Sequence, residues 1–161
     1  MKVIISITGR FHYFDLAYQI QKSNYLNKLI TTYPKFITKR WKIKTKNIVS
    51  FFSLEILNRV NSKLKIQFIS DICFRLHSLR TLKYLTKDCD ILIGGGLDAV
   101  VKAKNNDIIT IVERGSSHYS YQQKLLEEEY NKYGLNFKIQ YIKKEYWPNN
   151  DDLYFMNMDL M

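Results

Sequence analysis

The sequence predicts an α/β fold, a mostly parallel sheet with helices on both faces. Three observations predict it. Short unbroken runs rich in β-branched residues, Val3-Ile4-Ile5-Ser6-Ile7, Ile91-Leu92-Ile93 and Ile108-Ile109-Thr110-Ile111-Val112, have the character of strands buried on both sides. Glycine or small polar residues follow each run: Gly9, then Gly94-Gly95-Gly96, then Gly115-Ser116-Ser117. Stretches with apolar residues at helix spacing lie between them.

Taken in order, Lys2 to Thr8 predicts the first strand, and Gly9 turns the chain into a helix from about His12 to Lys22. Tyr13, Ala17 and Ile20 share one stripe of that helix. Leu29-Ile30-Thr31-Thr32-Tyr33 predicts a second strand, ended by Pro34. Two helices should follow. Val49, Phe52, Ile56 and Val60 mark the apolar face of one, and Ile69, Ile72, Leu76 and Leu79 that of the other. The Asp90–Ile93 strand leads through its glycines into a short helix ending near Ala103. The Ile108 strand leads into a long helix to Tyr133. Ser116 or Ser117 suits the start of that helix and Gly134 its end. Phe137 to Tyr141 alternates as a further strand would, before Trp147-Pro148-Asn149-Asn150 breaks the pattern. The expected organisation is one domain over residues 1–145 and an irregular tail over 146–161.

A chain of 161 residues with 46% hydrophobic and 14% aromatic content can bury a sizeable core in one domain. Cys73 and Cys89 both fall in apolar surroundings and are too sparse for a secreted disulfide scaffold, so a reduced, cytoplasmic setting is expected. The first apolar run is too short for a secretory leader, and no run approaches the ~18 apolar residues of a membrane span. The net charge of +10 is concentrated: from Lys28 to Lys87 there are fourteen Lys and Arg against Glu55 and Asp71 alone. A basic face for an anionic partner follows. Within it, Lys39, Arg40, Trp41, Lys42 and Lys44 interleave charge with apolar side chains. Such a run is by default a solvated surface, yet it suits an anionic membrane or, by stacking, single-stranded nucleic acid.

Candidate site residues follow the strands. In open α/β sheets ligands bind outside the carboxyl ends of the strands, which is where Gly9, Arg10, His12, Gly94, Gly95, Arg114, Ser116, Ser117 and His118 should lie. Glycine at a strand–helix turn lets the backbone approach a phosphate, and the helix start offers unpaired N–H groups. Gly9-Arg10-Phe11 does not complete a G-x-G-x-x-G fingerprint, so a dinucleotide is not indicated. Each feature also has a plain structural account: a tight turn at Gly9, a solvated His12, a flexible turn at Gly94–Gly96. For Glu113 to His118 that account is helix capping by serine with an internal Glu113–Arg114 contact. No metal site is expected, because His12, His77 and His118 lie in separate units. Asp88-Cys89-Asp90 has the spelling of a metal-binding Asp-x-Asp but precedes a strand.

Two stretches carry a resemblance. Glu113-Arg114-Gly115-Ser116-Ser117-His118 with the helix after it, and Thr8-Gly9-Arg10-Phe11-His12-Tyr13-Phe14-Asp15-Leu16-Ala17, resemble the last strand–helix unit and the first βα turn of the acceptor-side domain of family-4 (group 1) glycosyltransferases. The resemblance spans roughly residues 1 to 145. It implies a Rossmann-like half of a GT-B enzyme that transfers a hexose, with retention, from a nucleotide-sugar co-substrate to a saccharide or lipid-linked acceptor. No other cofactor is implied. Cell-envelope polysaccharide biosynthesis at the inner face of the plasma membrane would be the setting. The resemblance makes His118 the catalytic-site residue, contacting the transferred sugar or steadying charge in transfer, brings Gly9 near the donor diphosphate, and favours a membrane over nucleic acid for the basic run. Arg114 would anchor phosphate or acceptor. The donor-binding domain of that family has no counterpart in these residues, so the resemblance implies either a split enzyme with a separate donor-domain chain as partner or a truncated remnant. Two other readings stand beside it: a non-catalytic membrane- or nucleic-acid-binding module with a vestigial cleft, and a small stand-alone enzyme acting on a phosphorylated metabolite.

Overall fold

A computed structural model describes residues 1–64, 66–113 and 119–135. Five parallel strands form one sheet in the order β3-β2-β1-β4-β5. They are β1 (Val3–Ile7), β2 (Leu26–Thr31), β3 (Ile48–Ser50), β4 (Ile91–Gly94) and β5 (Ile109–Ile111). Helices α1 (Tyr13–Lys22), α2 (Lys35–Thr38), α3 (Phe52–Leu64), α4 (Gln67–Thr81), α5 (Leu97–Lys104) and α6 (Tyr119–Lys132) connect or follow them. The predicted α/β class, with its parallel sheet, is the observed one, and its strand order is that of a Rossmann-like sheet.

Alternation along β1 explains why both faces are covered. Val3 and Ile5 point to one side, where Tyr13, Phe14 and Ala17 of α1 pack with Leu29, Ile48 and Ile93. Ile4 points to the other, against Ile30, Leu92, Ala99, Ala103 and Ile108. Successive strand side chains alternate faces, so a run apolar at every position requires cover on both. Small residues at positions 99 and 103 bring α5 close to the sheet.

Three local readings are corrected. The second strand begins at Leu26, three residues before its predicted start, and ends at Thr31. Val49 belongs to strand β3, paired with Ile30, and is not the first member of a helical stripe. The remaining stripe residues of α3, Phe52, Ile56 and Val60, face solvent, while Leu54, Glu55 and Asn61 face inward. Polar anchoring decides that orientation. Thr32 donates to the Glu55 carboxylate at 2.7 Å, and Asn61 donates to Ser70 at 2.9 Å while accepting the Ile66 amide at 3.0 Å. α4 is similar: its buried side is Cys73, His77, Ser78 and Thr81, and Ile69, Ile72 and Leu76 are only half-buried.

Gly134, at φ +66°, ends α6, with the Leu135 amide donating back to the Tyr130 carbonyl at 2.9 Å. The expected strand at 137–141, the tail from 146 and the serine cap of α6 lie outside the described residues. Cys73 and Cys89 are free and buried, and burial pushes both thiols above their ordinary pKa, Cys89 to about 11. Among the described residues, no helix is long and apolar enough to cross a membrane.

Candidate functional site

The chain leaves β1 toward β2 on one side, and β4 leads to β5 on the other. β1 and β4 are themselves neighbours, with Ser6 opposite Gly94. Their carboxyl ends therefore border the crevice at which open α/β sheets take ligands. The Thr8–His12 loop and the Gly94–Gly96 turn both open there, as the sequence predicts.

Gly94 and Gly95 have φ of +76° and +86°. Gly94 is required twice over: its backbone is left-handed, and a Cβ would overlap the Ser6 carbonyl oxygen. The Gly95 amide donates to that same oxygen at 2.7 Å. This amide serves the protein's own backbone, so its turn presents a fixed wall. Gly9 differs. Among the described residues, a Cβ there would meet the Phe11 ring alone, at 3.5 Å, an ordinary contact. Steric need among the described residues does not explain glycine at this position. Next to it, Phe11 sits at φ +36° with its ring exposed, an uncommon conformation for a bulky residue.

His12 occupies the N-cap position of α1 without capping it. Its Nε2 lies 2.7 Å from Oε2 of Glu113, which follows β5. The first and last loops of the sheet edge are thereby joined across β4. The His12 ring also stacks on Tyr13 at 4.6 Å. Burial raises the Tyr13 phenol above its ordinary pKa of 10, and the Glu113 carboxylate reinforces the shift by charge and by hydrogen bonding. An imidazole held by a carboxylate can accept or return a proton, or hold positive charge beside an anion. The sequence placed Glu113 against Arg114. Only strand order brings it to His12, 101 positions away.

Arg10 turns toward the β2–β3 connection. Its guanidinium lies 4.6 Å from the centre of the Trp41 ring, and Trp41 in turn packs edge-on against Phe14 at 5.2 Å. Half-buried Trp41 thus belongs to the core side of the basic segment. Lys39, Arg40, Lys42 and Lys44 are exposed around it, in a 3-10 turn at Lys39–Trp41 and the loop beyond. Gln21 of α1 clamps that loop: its side-chain amide donates to the Lys42 carbonyl at 3.0 Å and accepts the Lys44 amide at 2.7 Å.

Thr32 and Glu55 add a polar link that local sequence gave no sign of. The Thr32 hydroxyl lies 2.7 Å from both the Thr8 carbonyl and the Glu55 carboxylate, whose other oxygen accepts from Arg59 at 2.9 Å. The Gly9 loop is held from below by this chain.

Arg114, Ser116, Ser117 and His118 lie outside the described residues, and Glu113 is the last described residue before them. Gly9, Arg10, His12, Gly94 and Gly95 stand at one sheet edge. Asp88 and Asp90 precede β4, at the opposite edge, where Asp88 pairs with Lys2 at 3.4 Å. Among the described residues, no group of three or more His, Cys, Asp or Glu is arranged to hold a metal ion. Comparison with protein-family models, with curated proteins and with solved structures found no match to this chain.

Proposed function

We propose that this chain supplies the acceptor-side half of a retaining GT-B glycosyltransferase, binding a saccharide or lipid-linked acceptor at the inner face of the plasma membrane. The observation that carries the reading is the meeting of three features at the β1–β4 switch point: the Gly9 loop, the Gly94–Gly96 turn and the His12–Glu113 pair. In this reading the nucleotide-sugar is a co-substrate held mainly by a donor domain facing the crevice, and no further cofactor enters. The uncapped start of α1 and the Gly9 backbone receive the donor phosphates. His12, Arg114 and the serines at 116 and 117 orient acceptor hydroxyls. His118 contacts the transferred sugar and steadies the charge that develops as the glycosidic bond to phosphate breaks.

Gly9 gives the sharpest test. Because a methyl group at position 9 has room, Gly9→Ala should keep the fold and block only a close phosphate. Amide chemical shifts are followed as UDP-glucose or GDP-mannose is added. The reading expects changes at Gly9 and His12 in the wild type, weakened at least about tenfold by Gly9→Ala, which corresponds to about 1.4 kcal/mol. With a donor domain supplied, His118→Ala should abolish transfer. With the donor domain supplied, absence of any shift at the switch point, or equal binding by Gly9→Ala, refutes the proposal.

A further inference from the structure

The apolar stripe that α3 turns outward does not stand alone. Phe52, Ile56, Val60 and Leu64 are exposed along about 18 Å of helix, and Phe36 of α2 is exposed beside them. With Pro34 and Ile37 they line an open groove of about 500 Å³. The charged side chains of this lining are Arg59 and Lys63. Contiguous exposed apolar surface on a folded chain marks an interaction site.

The surrounding charge names the occupant. From Leu16 to Ser70 the sequence contains a single acid, Glu55, and its side chain is buried against Thr32 and bonded to Arg59. Lys35, Lys39 and Arg40 lie exposed on the segment that supplies Phe36. Among the described residues, the groove lining has no neutral polar side chain of the kind that would specify a protein partner by hydrogen bonds. Asp71, exposed at the start of α4, is the next acid in the sequence and does not line the groove. An apolar strip bordered by cations, with no acid in its described lining, is the surface that lies in a bilayer interface. There apolar side chains reach the acyl boundary while cations meet anionic headgroups.

We infer that the α2–α3 groove is the face by which this protein docks on an anionic lipid bilayer. Phe36, Phe52, Ile56, Val60 and Leu64 enter the interface, and Lys35, Lys39, Arg40 and Lys63 engage the phosphates. Trp41 remains in the core contact with Phe14. The inference extends the proposed function by setting the acceptor beside a membrane, and rests on that reading only for the acceptor.

Flotation of the full chain with phosphatidylcholine vesicles, with and without phosphatidylglycerol, tests it. Binding should require the anionic lipid and weaken as salt is raised. Phe36→Ser combined with Val60→Ser should reduce partition at least tenfold, with the circular dichroism spectrum and melting temperature kept. In a Leu64→Trp variant, the added tryptophan emission should shift to the blue when anionic vesicles are added. Equal binding to neutral vesicles, unchanged partition of the double variant, or tighter binding to single-stranded oligonucleotide than to vesicles at matched salt overturns the inference. Nucleotide-sugar titration of the double variant reads the crevice separately, so failure of one proposal is distinguishable from failure of the other.

Discussion

His77 is the residue whose surroundings fit its chemistry least. It is 2% exposed, its Nε2 has no hydrogen-bond partner among the described residues, and the Phe51 ring stands edge-on at 5.6 Å. Burial lowers its pKa from 6.5 to about 4. In the unfolded chain the imidazole gains a proton as pH falls through about 6.5, whereas the folded chain resists until about 4. Stability from this group is complete above that window and declines as pH falls through it, by about 3 kcal/mol in all. His77→Leu should therefore melt at least as high as wild type at neutral pH and lose less stability on acidification. Thermal melts of both proteins across the window check this, and parallel declines would show that other groups set the acid sensitivity.

At the scale of elements, the basic segment divides into anchor and surface. Trp41 and Ile43 face the core, Gln21 grips the loop backbone, and the lysines and Arg40 face water. Trp41→Ala should thus cost about 3 kcal/mol of stability in chemical denaturation, as a partly buried aromatic does. Lys39, Arg40, Lys42 and Lys44 changed together to Gln should leave the melt within about 0.5 kcal/mol. The same charge changes should weaken vesicle binding, since each cation near anionic lipid contributes about 1 kcal/mol. A small loss for Trp41→Ala would place the indole outside the core. Composition alone could not make this division, because an indole among lysines suits either role. The helix faces were equally hidden. Spacing shows that Phe52, Ile56 and Val60 share a side of α3, but the inward side was chosen by Glu55 and Asn61 through partners on β2's connection and α4.

For the whole molecule, the long apolar runs made β1, β4 and β5 legible, and with them the sheet edge that gathers the glycine loops. β3 was not legible: Ile48–Ser50 is three residues long, and Val49 falls in register with the helix that follows. The His12–Glu113 contact could not be read locally either, since it exists only because β4 lies between the strands that carry the two loops. Both side chains of this pair are about half exposed. Solvent screening limits its stability to at most about 1 kcal/mol. In the proposed reading His12→Ala should accordingly melt close to wild type while weakening acceptor use, measured as a raised acceptor KM once a donor domain is supplied. An unaltered acceptor KM would leave His12 a solvated loop residue.

The Gly94–Ser6 contact has one more consequence. With the Ser6 oxygen pressed against Gly94 and bonded to the Gly95 amide, the two central strands cannot be prised apart to admit a larger guest. In the proposed reading this turn is a fixed floor, and discrimination among guests falls to the flanking loops, whose side chains can change without disturbing the sheet that carries them.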